Sequence, residues 1–181
     1  LLPGITVPTL VVVGDSITDG SDSTTGFIDG QPSPMTASDQ RYPNHLQRRI
    51  LAAGLPITVA NAGIGGNELL KDGWLPQFGP ALLKRLDTDV LETAGATHVL
   101  LMIGTNDFGN PKPGAPPNAD ALIAGLKQVI ARVQAAGMKI VLGTIPPAEG
   151  TVWEGLPLAG GLPLKPQVMH GTAQARLERD Q

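Results

Sequence analysis

The sequence contains no cysteine in 181 residues. That single absence excludes disulfides, zinc–thiolate centres and cysteine nucleophiles together. It leaves the compartment open, because chains of the cell exterior also do without cysteine. Positive charge is scarce and scattered: 13 Lys and Arg stand against 16 Asp and Glu, for a net charge of −3. A nucleic-acid surface needs a basic stripe, and none is present. There is no Lys/Arg-rich amphipathic segment for a membrane surface either. No apolar run approaches the roughly 18 residues that mark a membrane span. Aromatic residues make up only 3% of the chain. Tyr42, Trp74, Phe78 and Trp153 fall in or near connecting segments, as candidates for a substrate cleft or for loop packing. The chain opens on Leu1 with no initiating Met and no signal peptide, so we expect residues upstream to have been removed.

What is present is globular in character. Hydrophobic residues are 41% and charged residues 16%, far from the disordered class. A domain of this length buries roughly 70% of its unfolded surface, enough to need no metal or disulfide staple. The 23 glycines and 17 prolines imply many tight connections or long ordered loops.

Hydrophobic periodicity gives an alternating order of elements. Leu10–Val13 is a β-branched run that stops at Gly14 and reads as a buried strand. Ser21–Asp39 is a long polar loop. A helix opens at Pro43, with Leu46, Ile50 and Leu51 on one face and Gly54 as its terminating residue. Ile57–Ala60 is a second strand, running into a glycine-rich turn at Asn61–Asn67. The next helix is predicted over about Gly79–Leu91, with Leu82, Leu83, Leu86 and Val90 as its apolar side. His98–Ile103 is nearly uninterrupted apolar sequence, as suits a central parallel strand covered on both faces. After a Pro-rich loop at Asn110–Asn118, Leu122, Ile123, Leu126, Val129, Ile130 and Val133 define a helix closed by Gly137. Lys139–Leu142 is the fourth strand, stopped by Pro146 and Pro147. Thr151–Pro166 reads as a loop and Gln167–Gln181 as a weakly apolar helix.

Strand–helix alternation of this kind predicts a doubly wound α/β fold. Its mostly parallel sheet carries helices on both faces, in a flavodoxin-like three-layer sandwich. The whole chain, 1–181, reads as a single domain. In such sheets ligands bind at the carboxyl ends of the strands. Three polar, glycine-containing clusters follow the first three strands directly, so all three should meet on one edge.

The first cluster is Gly14-Asp15-Ser16-Ile17-Thr18-Asp19-Gly20. It presents a serine on a turn just past a strand end. The second, Asn61-Ala62-Gly63-Ile64-Gly65-Gly66-Asn67, lets backbone N–H groups approach a ligand unobstructed. The third, Gly104-Thr105-Asn106-Asp107, offers an amide side chain as a donor. Acyl transfer needs a nucleophile and donors aimed at the developing oxyanion.

These blocks, in this order, resemble those of the SGNH (GDSL-type) hydrolase family, named for Ser, Gly, Asn and His in four blocks. The resemblance runs from about Leu10 to the end of the chain. It implies a serine esterase with Ser16 as nucleophile and first oxyanion donor. It implies Gly66 as second donor, with Gly65 the neighbouring alternative, and Asn106 as the side-chain donor. Asp15, Asp19 and Asp107 become supporting residues, with Asp15 anchoring the turn through backbone hydrogen bonds. The implied substrates are short-chain acyl esters, acetylated sugars, lipids or thioesters, with acetylated carbohydrate one candidate, and no cofactor is implied. A secreted enzyme is the expected setting, with the cytoplasm as the other.

The fourth block, Asp-x-x-His, is absent. His45, His98 and His170 are preceded three places earlier by Tyr42, Gly95 and Gln167. We therefore expect the last strand and the catalytic histidine to reside on a companion C-terminal segment. Blander readings stand beside these. Ser16 could be a helix N-cap. The glycines could be a plain turn, and Asn106-Asp107 an Asx turn. A dinucleotide loop fails because Glu68 occupies the last glycine position. Asp15 and Asp19 flank a serine without other ligands, which argues against a metal. A binding module that has lost catalysis and an acyltransferase remain as other functions of the same fold.

Overall fold

The computed structural model describes residues 7–21, 27–28, 31–32, 38–109, 119–145, 152–153 and 167–168. Strand β1 (Thr9–Gly14) leads into a single-turn helix α1 (Ser16–Asp19), then helix α2 (Tyr42–Ala52) and β2 (Thr58–Gly63). A 3₁₀ turn (Pro76–Phe78) precedes α3 (Leu82–Leu86), which runs on as a π turn over Asp87–Leu91. Then come β3 (Ala96–Met102), α4 (Thr105–Gly109), α5 (Ala119–Ala135) and β4 (Lys139–Leu142). The sheet order is β2-β1-β3-β4, with every pair parallel. The expected doubly wound α/β arrangement is the one observed.

Alternation along the strands divides the side chains between two faces. Val11 and Val13 of β1 and Val99 and Leu101 of β3 point into the main core. There they meet Leu82 and Leu86 of α3, Val90, and Leu122, Leu126, Val129 and Val133 of α5. The intervening Val12 is also fully buried, and α2 contributes two buried residues, Pro43 and Ile50. Each such side chain removed from water contributes about 2 kcal/mol before the entropic cost of ordering it. α5 forms because its apolar residues recur at helical spacing. It ends where Gly137 takes a φ of 76° and Met138 N–H bonds back to the Val133 carbonyl at 3.1 Å.

Several boundaries differ from the sequence expectation. β2 extends to Gly63, so Asn61, Ala62 and Gly63 are strand and not turn. Parallel pairing with β1 carries it that far, matching Gly14 with Gly63. The helix expected from Gly79 begins only at Leu82, because Gly79 adopts φ 68°, ψ 177° and Ala81 has a non-helical ψ of 140°. Leu51 is not on the buried face of α2: it is 65% exposed. Within the long loop, Phe27–Ile28 pairs antiparallel with Gln31–Pro32. Gln167–Val168, expected to open a helix, instead pairs antiparallel with Val152–Trp153. The rest of that C-terminal expectation, His170 included, and the whole Asn110–Asn118 loop lie outside the described residues.

Candidate active site

Order 2-1-3-4 places the topological switch point between β1 and β3, where the crossover connections leave opposite ways. Ser16 sits just beyond β1 at this point, as the first residue of α1. The N-cap is Asp15, not Ser16: its Oδ1 accepts from Ile17 N–H at 3.0 Å. A helix N-terminus directs its N–H groups and its positive dipole end outward. Gly14 is required by contact, since a Cβ there would collide with the Met102 carbonyl and the Thr18 hydroxyl. That approach lets the turn lie directly on the end of β3. Thr18 is buried and shares a hydrogen bond of 3.2 Å with the Tyr42 hydroxyl, tying the turn to α2.

The second loop is drawn onto the first. Ile64 N–H donates to the Gly14 carbonyl at 3.1 Å. Asn61 Nδ2 donates to the Thr18 carbonyl at 2.9 Å. Gly66 has a φ of 74°, a region L side chains avoid, and the Phe78 ring occupies the space a Cβ would need. Trp74 packs edge-on against Phe78, with centroids 5.8 Å apart. These two rings therefore serve loop packing beside Gly66. A Cβ on Gly65 would lie 3.5 Å from an Asp19 carboxylate oxygen, so Asp19 flanks the glycine loop.

The third cluster is joined to the second by two side chains of α4. Asn106 Nδ2 donates to the Asn67 carbonyl at 3.0 Å. Asp107 accepts from the N–H groups of Leu69 at 2.9 Å and Leu70 at 3.1 Å. Its carboxylate thus spans two loops, which an Asx turn would not do. Thus Ser16, Gly66 and Asn106 follow the aligned ends of three strands, with Gly14 in register with both Gly63 and Met102.

Burial shapes the acids here. Asp15 is 1% exposed and its Oδ2 finds no hydrogen-bond partner among the described residues. Burial pushes its carboxyl up to about 6; the nearby Asp107 adds to this, and the Ile17 N–H opposes it. Asp107 is also raised by burial, against the lowering effect of the Leu69 and Leu70 N–H bonds. Burial likewise raises Tyr42, with the Thr18 hydrogen bond opposing and Asp15 adding.

Sequence reasoning missed one residue, Arg85. It is 4% exposed, and its guanidinium reaches all the way to the loop ends. Nε and Nη2 donate to Asn67 Oδ1 at 3.1 and 3.0 Å. Nη1 donates to the Ala62 carbonyl at 2.8 Å and pairs with Asp89 at 2.9 Å. Nη2 also donates to the Gly14 carbonyl at 3.2 Å. The available signal was an arginine inside the Leu82–Leu86 apolar stripe with an acid four residues on. The two histidines among the described residues do not join the site: His45 is exposed on α2, and His98 lies near the amino end of β3, beside Leu10 and Lys139. Among the described residues no cluster of acids and histidines could hold a metal ion, and no helix is long and apolar enough to cross a membrane.

Fold and site together define a parallel α/β protein with a serine turn, a glycine loop and an asparagine at the carboxyl edge of its sheet. The family model described as GDSL-like Lipase/Acylhydrolase family matches residues 12–175, and the chain belongs to that family. Among solved structures it is similar to a carbohydrate acetylesterase from Sinorhizobium meliloti, at 15% identity and TM-score 0.66, over 95% of this chain and 75% of that one. It is similar to an acetylxylan esterase from Geobacillus stearothermophilus, at 21% identity and TM-score 0.59, over 97% and 73%. A lipase/acylhydrolase from Enterococcus faecalis matches at 24% identity and TM-score 0.53, over 79% and 60%. The chain spans about three fifths of the length of that protein and of two further esterase or acylhydrolase structures, 60%, 62% and 58%. No curated protein sequence matches the chain.

Proposed function

We propose that this chain is the nucleophile-bearing part of a serine ester hydrolase acting on short-chain acyl esters, with acetylated carbohydrate as the favoured substrate. The observation that carries the proposal is the meeting of three loops at the switch point, where the Asn106 amide bonds to the Asn67 carbonyl next to Gly66. Membership of the acylhydrolase family supports ester chemistry. The two carbohydrate-directed neighbours support the sugar ester, as analogy.

In this reading Ser16 Oγ attacks the ester carbonyl and yields its proton to a histidine. The histidine belongs to a companion Asp-x-x-His segment. The N–H groups of Ser16 and Gly66 and the second N–H of the Asn106 amide hold the oxyanion. The alcohol leaves with the proton from the histidine, and water then cleaves the acyl-enzyme to release the acid. Asp15 acts on the turn and not on the substrate, since it is 1% exposed and its Oδ1 holds Ile17 N–H.

The test is labelling of the whole protein with a fluorophosphonate, together with turnover of p-nitrophenyl acetate. Labelling at Ser16, and loss of both signals in Ser16→Ala, is expected. A Ser16→Ala protein that still hydrolyses the ester would overturn the proposal. The placement of His45 and His98 away from the site favours one second reading, a binding module on the same fold; an unlabelled Ser16 in a protein that still binds the sugar ester would select it.

A further inference from the structure

Arg85 is a buried cation, 4% exposed, that this mechanism leaves without a task. A guanidinium carries five N–H groups in a fixed fork, and here every one is used. Only one of its partners is a charge. Asp89 is 36% exposed at its side chain, so the ion pair opens to solvent at the outer end. The other acceptors are the carbonyls of Gly14 and Ala62 and the side chain of Asn67. Gly14 ends β1 immediately before Asp15-Ser16. Ala62 belongs to the end of β2. Asn67 follows Gly66, and its own carbonyl receives the Asn106 amide.

Stability of the core does not account for such a group. Exchanging a buried ion for a well-packed apolar side chain is often neutral or stabilising. A rigid fork aimed at three loop segments, in contrast, fixes their relative positions. Asn67 is itself fully buried and passes the constraint on. Its Nδ2 donates to the carbonyls of Phe78 at 2.8 Å and Pro80 at 2.9 Å, and Phe78 is the ring seated against Gly66.

We propose that Arg85 is a positioning residue for the oxyanion site: through Gly14 it sets the Ser16 turn, and through Asn67 it sets Gly66 and the Asn106 amide against that turn. This rests on the esterase reading above. Arg85 touches no reacting atom. It acts on kcat because small displacements of donors or nucleophile, of about 1 Å, cost about 10²-fold in rate.

The experiment is a double-mutant cycle between Arg85→Met and Asn106→Ala in the whole protein, reading kcat and KM for p-nitrophenyl acetate, with circular dichroism to confirm folding. Arg85→Met is expected to lower kcat about 10²-fold with KM changed by less than about threefold. Arg85→Lys keeps the charge but loses the fork, and is expected to show the same loss. In the Asn106→Ala background, the Arg85 substitution should cost less than about tenfold, because the donor it positions is gone. Equal losses in both backgrounds, or an unchanged kcat in Arg85→Met, would overturn the inference. If Arg85→Met does not fold, Asn67→Ser takes its place: it breaks the link while keeping the Asn67 carbonyl, and the same coupling with Asn106→Ala is required. The Ser16→Ala control separates the two ideas. An active Ser16→Ala protein sinks the esterase reading. An inactive one, with additive Arg85 and Asn106 effects, sinks only the role of Arg85.

Discussion

At the residue scale, Asp15 shows how the site uses burial. Its folded pKa of about 6 exceeds the ordinary 3.8, so the folded state binds this proton more tightly than the unfolded chain does. The stabilising effect of the protonated form is complete below about pH 4 and is lost as pH rises through 6. The difference amounts to about 3 kcal/mol at most. Asp15→Asn keeps an oxygen acceptor for Ile17 N–H and removes the charge facing Asp107 and Tyr42. The variant should therefore melt higher than wild type at pH 8 and nearly equal to it at pH 4. A melting difference that does not change with pH would contradict the assignment. Asn106→Ala tests the adjoining loop. Loss of one preorganised donor should lower kcat by about 10²–10³-fold with little change in KM; a fall in affinity alone would mean that the amide binds substrate and does not act in the transition state.

Residues of the site differed in how readable they were. The Ser16, Gly66 and Asn106 blocks stand at strand ends, so local pattern alone brings them to one edge. Asp107 and Arg85 act across the chain. The Asp107 partners lie 37 and 38 positions away, and those of Arg85 as far as 71. No spacing rule reports such contacts. On its helix the one local signal for Arg85, its place in the Leu82–Leu86 apolar stripe with Asp89 four residues on, also fits a solvated ion pair.

At the element scale, helices and strands were legible where periodicity is strong, as in α5 and β4. They were less so where a neighbouring strand or a backbone angle decides the boundary. β2 gains three residues at its carboxyl end because β1 offers it partners there. α3 starts late because Gly79 takes a positive φ. In α2, Ile50 and Leu51 were indistinguishable by pattern, yet Ile50 is 8% exposed and Leu51 65%. Truncation separates them. Ile50→Ala should cost about 2–5 kcal/mol of stability, and Leu51→Ala less than about 0.5 kcal/mol, measured by urea unfolding. Equal costs would mean that α2 is rotated from the orientation described here.

At the scale of the whole molecule, the sheet order ranks the strands by protection. β1 lies between β2 and β3, and β3 between β1 and β4, so both inner strands bond on two sides. Val11, Val12, Val13 and Val99 are fully buried. β4 pairs with β3 alone among the described strands, and its Val141 and Leu142 are 59% and 44% exposed. On the α2 side of the sheet, a cavity of about 210 Å³ opens beside this edge, lined by Tyr42, Leu100, Met102 and Gly143. Local opening should therefore start at β4 and reach β1 and β3 only with global unfolding. Native-state hydrogen exchange measures this directly. The amides of Val11–Val13 and Val99–Leu101 should exchange slowest, at the free energy of global unfolding, and those of Lys139–Leu142 fastest among the sheet strands. The site would then stand on the most stable part of the molecule, because Ser16 and Asn106 follow β1 and β3. Protection of β4 equal to that of β1 would show that further polypeptide covers the β4 edge in solution and that the ranking by described strands does not hold.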